Sequence, residues 1–170
     1  MSDMERKGVI TFKNNPLTLI GPEVKVGDKA PDFKLLANNL TEVTLASFKG
    51  KTRVISVVPS LDTPVCDMQT KRFNQEAVKF SADTIVLTAS MDLPFAQARW
   101  CGAAGVKNVQ TLSDHREASF GRAYGVLIKE LRLLARAIFI IGADDKIRYV
   151  EYVKEVTQHP DYDKALQALK

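Results

Sequence analysis

Cysteine is scarce in this chain: two among 170 residues, at positions 66 and 101, and never in a CxxC pair. So few cysteines exclude the dense disulfide framework of a small secreted scaffold, and their spacing excludes the paired pattern of a zinc site. Histidine is as rare. His115 and His159 each stand alone among polar residues and read as solvated loop side chains rather than as the base of a Cys–His nucleophile. No run approaches the roughly 18 apolar residues that a membrane-spanning helix needs, and the charged stretch from Met1 to Gly8 has no apolar segment behind it. The formal net charge is +4, but lysines and arginines are mixed with acidic residues. The chain therefore has no basic stripe interleaved with aromatics, and nucleic acid is not an expected partner. These absences lead to the expectation of a cytoplasmic, soluble protein.

What is present fits one core. With 170 residues and 45% hydrophobic content, the expectation is a single domain over residues 1–170. Short alternating runs over residues 9–20, around Asn14 and Asn15, predict an N-terminal β-hairpin that is an appendage ahead of the main fold. Weak strand signals follow at Phe33–Leu36 and Glu42–Leu45. Arg53–Val58 is a buried-strand run stopped by Pro59, and Phe73, Ala77 and Phe80 recur at helical spacing beyond it. Thr84–Ser90 is the next strand. Asp92 and Pro94 provide helix-start chemistry for a helix to about Ala103, with Cys101 in its last turn. A short strand at Val109–Leu112, a helix at Glu117–Tyr124, a hairpin from Ala137–Ile141 and Ile147–Val153, and a last helix from about Tyr162 to Leu169 complete the pattern. The fold class is α/β, thioredoxin-like, with a mixed central sheet flanked by helices and an extra N-terminal hairpin.

Cys66 lies where a strand hands over to a helix. Unsatisfied backbone N–H groups and the helix dipole at such a position favour a cysteine's anion, the form that is nucleophilic. Thr63, three residues earlier, is spaced to bring its hydroxyl beside the sulfur. Pro59 and Pro64 stiffen the loop and shield it.

Pro59, Thr63 and Cys66 match the PxxxTxxC signature of peroxiredoxins, and the run from Pro59 to Cys66 resembles their thiol peroxidase branch, the atypical 2-Cys kind. Further segments resemble that branch in order: Asn14–Pro16, Lys29–Phe33, Met91–Gln97, Cys101–Gly102, Ala123–Val126 and Leu134–Ala137. The resemblance implies Cys66 as peroxidatic cysteine, Cys101 as resolving cysteine, Thr63 as hydrogen-bond partner of the sulfur, and Arg136 as the guanidinium beside it; the residues alone leave Arg132 and Arg122 open as alternative cations. It implies reduction of hydrogen peroxide and organic hydroperoxides through a Cys66 sulfenic acid, then a Cys66–Cys101 disulfide. Recycling falls to an external dithiol, thioredoxin, and no metal, haem, flavin or selenium cofactor is needed. A homodimer is the implied assembly. Phe95 and Trp100, near Cys101, read as an apolar entrance that suits organic peroxides.

Two other functions stay in view. A peroxide sensor or redox relay would pass the same disulfide to a partner protein. A general thiol–disulfide oxidoreductase would share the fold, but the missing CxxC pair argues against it.

Overall fold

Alternating apolar residues in the strands place two separate buried clusters on the two faces of one sheet. The computed structural model describes residues 4–170; residues 1–3 of the expected domain lie outside it. Ten strands and four helices run in the order β1 (Glu5–Phe12), β2 (Asn15–Ile20), β3 (Lys34–Leu36), β4 (Glu42–Thr44), β5 (Thr52–Val57), α1 (Pro64–Ala77), β6 (Thr84–Ser90), α2 (Pro94–Ala104), β7 (Gln110–Ser113), α3 (Ser119–Ala123), β8 (Leu127–Ile128), β9 (Ala137–Ile141), β10 (Ile147–Tyr152) and α4 (Tyr162–Gln167). Seven strands form a mixed sheet in the order β10-β9-β5-β6-β7-β3-β4. Its centre, β5-β6-β7, is parallel, while β9 runs antiparallel to β5 and β3 antiparallel to β7. Parallel strands need crossover helices, which α1 and α2 supply.

Successive residues of β5 and β9 point to opposite faces. Val54, Ile138 and Ile140 pack with Phe73 of α1 and Ala165 of α4. Ile55, Val57, Ala137, Phe139 and Ile141 pack on the other side with Phe120 of α3 and with Ile10, Leu17 and Leu19 of the N-terminal hairpin. Helices on both faces of a mixed sheet make this the thioredoxin-like arrangement expected.

The hairpin is more than an appendage. Its turn is Lys13–Asn14, both in the left-handed region (φ 49° and 67°), which suits the twist of a two-residue hairpin loop. β2 then pairs with β8, Leu19 opposite Ile128 and Ile20 opposite Leu127, giving a three-stranded sheet. Burying Ile10, Leu17 and Leu19 is worth roughly 1.5–3 kcal/mol per side chain, so the hairpin seals the core rather than decorating it. Gly21 and Gly125 permit the approach. A Cβ on Gly21 would stand 2.1 Å from the Arg122 carbonyl oxygen, and one on Gly125 2.2 Å from that of Pro22.

Boundaries differ modestly from expectation. α1 stops at Ala77, yet Phe80 beyond it still joins the cluster around Phe73. α3 is only five residues long, starting at Ser119 rather than Glu117. No described helix is long and apolar enough to cross a membrane.

Candidate active site

β5 delivers the chain to the site. It ends at Val57, Val58 and Pro59 follow, all buried, and the four residues 60–63 lead into α1. Thr63 is the N-cap in extended conformation, and Pro64, which has no N–H to leave unsatisfied, occupies the first helical position. Cys66 is thus in the first turn of the helix rather than ahead of it. The N–H groups of Val65 and Cys66 have no partner among the described hydrogen bonds, so donors collect at the sulfur's end of the helix.

The sulfur is 0% exposed in a cluster with Val58 and Leu61, against which Trp100 packs. Neither cysteine is in a disulfide. Arg136, immediately before β9, reaches the site because β9 lies beside β5, with Val57 opposite Ala137. Its Nη2 stands 3.4 Å from Cys66 Sγ. Its other donors are engaged as well: Nε donates to the Val156 carbonyl at 2.9 Å and Nη1 to Gln69 Oε1 at 2.9 Å. Arg136 is 2% exposed, and no carboxylate is among its described partners. Of the alternative cations, Arg132 is exposed and Arg122 half-buried.

Gln69 is a component that the sequence reading missed. One turn on from Cys66, it is buried, accepts from Arg136, and donates through Nε2 to Ser56 Oγ at 2.7 Å. The arrangement fixes its amide orientation, because the carbonyl end must face the guanidinium. The signal was present: Cys66, Gln69, Thr70 and Phe73 are the buried positions of α1, and a glutamine in that stripe needs a polar partner.

Thr63 lies in the loop as expected, but its hydroxyl donates to the Ser60 carbonyl at 3.0 Å, and no bond to the sulfur is among its described contacts. Its proton is used to fold the loop. Asp92 also differs from expectation. The N-cap of α2 is Leu93, without a side-chain cap, and only Pro94 plays its expected part at the helix start. The Asp92 carboxylate instead accepts from Ser60 Oγ (2.8 Å), Leu61 N (2.8 Å) and Ser90 Oγ (2.7 Å), tying the end of β6 to the Cys66 loop.

Cys101 is in the last turn of α2, partly exposed, with Sγ 3.5 Å from Thr111 Oγ1 on β7. Its neighbour Trp100 turns instead towards α1, where the indole Nε1 donates to Asp67 Oδ1 at 3.1 Å. Trp100 and Phe95, with Leu61, Leu93 and Arg99, also line a groove of ≈ 650 Å³ beside the loop. His159 bonds the Tyr162 hydroxyl, and neither histidine bonds a cysteine in the described contacts.

The matching family model, Redoxin, covers residues 25–166. The chain is similar to the thiol peroxidase of Halalkalibacterium halodurans, 64% identical over 161 residues, covering 95% of this chain and 96% of that protein. It is 61% identical to the thiol peroxidase of Bacillus subtilis, with coverage of 95% and 96%. Among solved structures, a peroxiredoxin-like protein from Aquifex aeolicus superposes with a TM-score of 0.87 at 41% identity, covering 99% of this chain and 98% of that one.

Proposed function

The chain belongs to the redoxin family and is a thiol-dependent peroxidase of the peroxiredoxin kind, and on that premise we propose that it reduces hydrogen peroxide and organic hydroperoxides through Cys66, with Cys101 as resolving thiol and thioredoxin as reductant. The Cys66 thiolate attacks the terminal peroxide oxygen. An S–O bond forms, the O–O bond breaks, and the leaving oxygen takes a proton and departs as alcohol or water. Cys101 then attacks the sulfenic sulfur, forming the S–S bond and releasing water. Exchange with an external dithiol returns both thiols. The peroxide is the oxidant and the dithiol the reductant, so the cycle balances without metal, haem or flavin.

One observation carries this reading: a buried guanidinium 3.4 Å from a fully buried thiol, with no carboxylate among its described partners. A permanent cation so placed stabilises the thiolate and, during reaction, the charge that develops as the O–O bond breaks. Gln69 and Ser56 hold that cation on target. Thr63 folds the Cys66 loop through its bond to the Ser60 carbonyl, and the buried Pro59 stiffens that loop. The groove along Leu61, Leu93, Phe95 and Trp100 suits an organic peroxide's apolar substituent. A homodimer that covers the exposed Leu93 and Phe95 is part of the same proposal.

Rapid mixing of reduced protein with substoichiometric cumene hydroperoxide tests it, followed through Trp100 fluorescence. The expected rate constant is about 10⁴ M⁻¹s⁻¹ or more, with no reaction in Cys66→Ser. Cys101→Ser should complete one turnover and then fail to be recycled by thioredoxin. Wild-type protein that reacts no faster than a free thiol would overturn the proposal.

A further inference from the structure

Trp100 and Cys101 are consecutive on α2, so their side chains diverge by about 100° around the helix. The divergence is visible in their partners. Cys101 faces Thr111 on β7, whereas Trp100 covers the cluster that encloses Cys66. The wall of the Cys66 pocket nearest α2 is therefore built by the indole, not by the resolving thiol. A disulfide requires the two sulfurs at about 2 Å and Cα atoms within about 7 Å, so either Cys66 leaves the cover of the indole or Cys101 takes the place that Trp100 holds, and both changes disturb the contact between Trp100 and α1.

Little in α2 itself resists that exchange. Its last turn contains Gly102, a poor helix former, and Gly102 and Ala103 are exposed. The helix ends at Gly105 in the left-handed region (φ 68°), whose N–H bonds the Cys101 carbonyl, as does that of Val106 at 3.1 Å. Fraying by one turn frees Cys101. Beyond the long contact of Cys101 Sγ with Thr111, the described bond that ties this turn to α1 is that from Trp100 Nε1 to Asp67, a residue adjacent to Cys66 whose other carboxylate oxygen pairs with Lys71 at 2.8 Å. That bond spans the two segments that must rearrange.

We infer that the Trp100–Asp67 hydrogen bond is a latch that sets the rate of disulfide formation, and that Trp100 and Asp67 are positioning residues for the resolution step. The inference rests on the two-cysteine cycle proposed above. While the latch is closed, α2 stays folded and a Cys66 sulfenic acid waits beneath the indole. When it opens, the Cys101 sulfur attacks the sulfenic sulfur, the S–S bond forms, and the hydroxyl leaves as water with the thiol's proton. A slow latch also lengthens the time in which a second peroxide can oxidise the sulfenic acid to sulfinic acid, so the same bond sets sensitivity to excess peroxide.

Quenched-flow alkylation and mass spectrometry of the full chain resolve sulfenic acid, sulfinic acid and disulfide without relying on tryptophan fluorescence. Trp100→Phe keeps an aromatic wall and removes the N–H; Asp67→Ala removes the acceptor. Each is expected to speed conversion of sulfenic acid to disulfide by about tenfold, the size expected for a hydrogen bond to a charged group, and to reduce sulfinic acid at high peroxide. Because both variants delete one bond, the double variant should be no faster than either single one. Lys71→Ala, which leaves the indole bond in place, should convert at the wild-type rate. Unchanged or slower conversion in both single variants, additive gains in the double, or an equal gain in Lys71→Ala would each overturn the latch while leaving the cycle intact. A wild-type protein that consumes peroxide yet never forms the Cys66–Cys101 disulfide would overturn the cycle itself, and the latch with it.

Discussion

Two arginines lie buried at opposite ends of the β5–β9 pair, and their surroundings differ in kind. Arg53, 1% exposed near the start of β5, pairs with the Asp145 carboxylate at 2.6 Å and donates to the carbonyls of Gly142 (2.8 Å) and Phe48 (3.2 Å). Its charge is met, and what it achieves is structural: it pins the β9–β10 turn to the central strand. Arg136, 2% exposed, is held by a carbonyl and a glutamine, both neutral, and its remaining Nη2 faces sulfur. Arginine does not shed its proton to escape burial. A buried cation without a counter-charge is stabilised whenever an anion forms beside it, and at this position the available anion is the Cys66 thiolate. The first end of the sheet uses its guanidinium to hold a turn; on the cycle proposed above, the second keeps one ready for charge that appears during reaction.

The contrast breaks most sharply at Arg136. Arg136→Met should lower kcat/KM for peroxide by about 10²–10³, the usual loss for one preorganised donor at developing charge, as stopped-flow peroxide consumption will show. Arg53→Met should do the reverse. It should cost about 3 kcal/mol in urea unfolding, since removing one partner strands a partly buried carboxylate, while the rate per folded molecule stays at the wild-type value. Equal losses of activity in the two variants would erase the distinction.

Asp114 sharpens the comparison from the acidic side. Buried with the N–H groups of Phe120 and Gly121 as donors, it is pushed up from 3.8 to about 6, chiefly by burial, with those hydrogen bonds and Arg132 opposing. Unlike an arginine, it answers burial by binding a proton. Because the folded-state value is raised, the folded protein holds more protons than the unfolded chain between about pH 4 and pH 6. Stability from this residue is therefore full below about pH 4 and lost as pH rises through 6, by about 3 kcal/mol in all. Denaturant unfolding of wild type and Asp114→Asn at pH 4 and pH 7 should show the wild type losing that much ground to the variant. The smallest effect belongs to Gln69. Gln69→Ala leaves the Arg136 charge but frees its aim, and about a tenfold loss in kcat/KM is expected, with KM carrying little of it.

The strands were legible because their patterns are local. Thr84–Ser90 and Ala137–Ile141 are runs of apolar and β-branched residues bounded by turns, and they fall where the pattern puts them. The placement of Cys66 at a strand-to-helix passage was legible from the prolines and threonine before it, and that of Cys101 in a last helical turn from the pattern of α2. β8 was not, since two residues, Leu127 and Ile128, show no period, and their strand character comes from β2, over a hundred residues earlier. The direction of the Thr63 hydroxyl and the triple acceptance by Asp92 were hidden for a different reason. A short polar side chain in a loop has several donors and acceptors in reach, and the choice is made by whichever distant segment packs nearby. The bond from Trp100 to Asp67 joins two helices across 33 residues and leaves no mark on either helix's own pattern.

The seam between Gly21 and Gly125 also bears on how the protein is made. The β1–β2 hairpin leaves the ribosome before the backbone it docks on, from Gly125 to Ile128, which is translated about a hundred residues later. At roughly 5–20 residues per second, the nascent hairpin waits roughly 5–20 s for its partner. Throughout that interval the apolar face of Ile10, Leu17 and Leu19 lacks the Val126, Leu127 and Ile128 side of the cluster it joins. A segment synthesised early is thus sealed late, and a chain stalled before residue 125 is left with an open flank that chaperones and proteases can read.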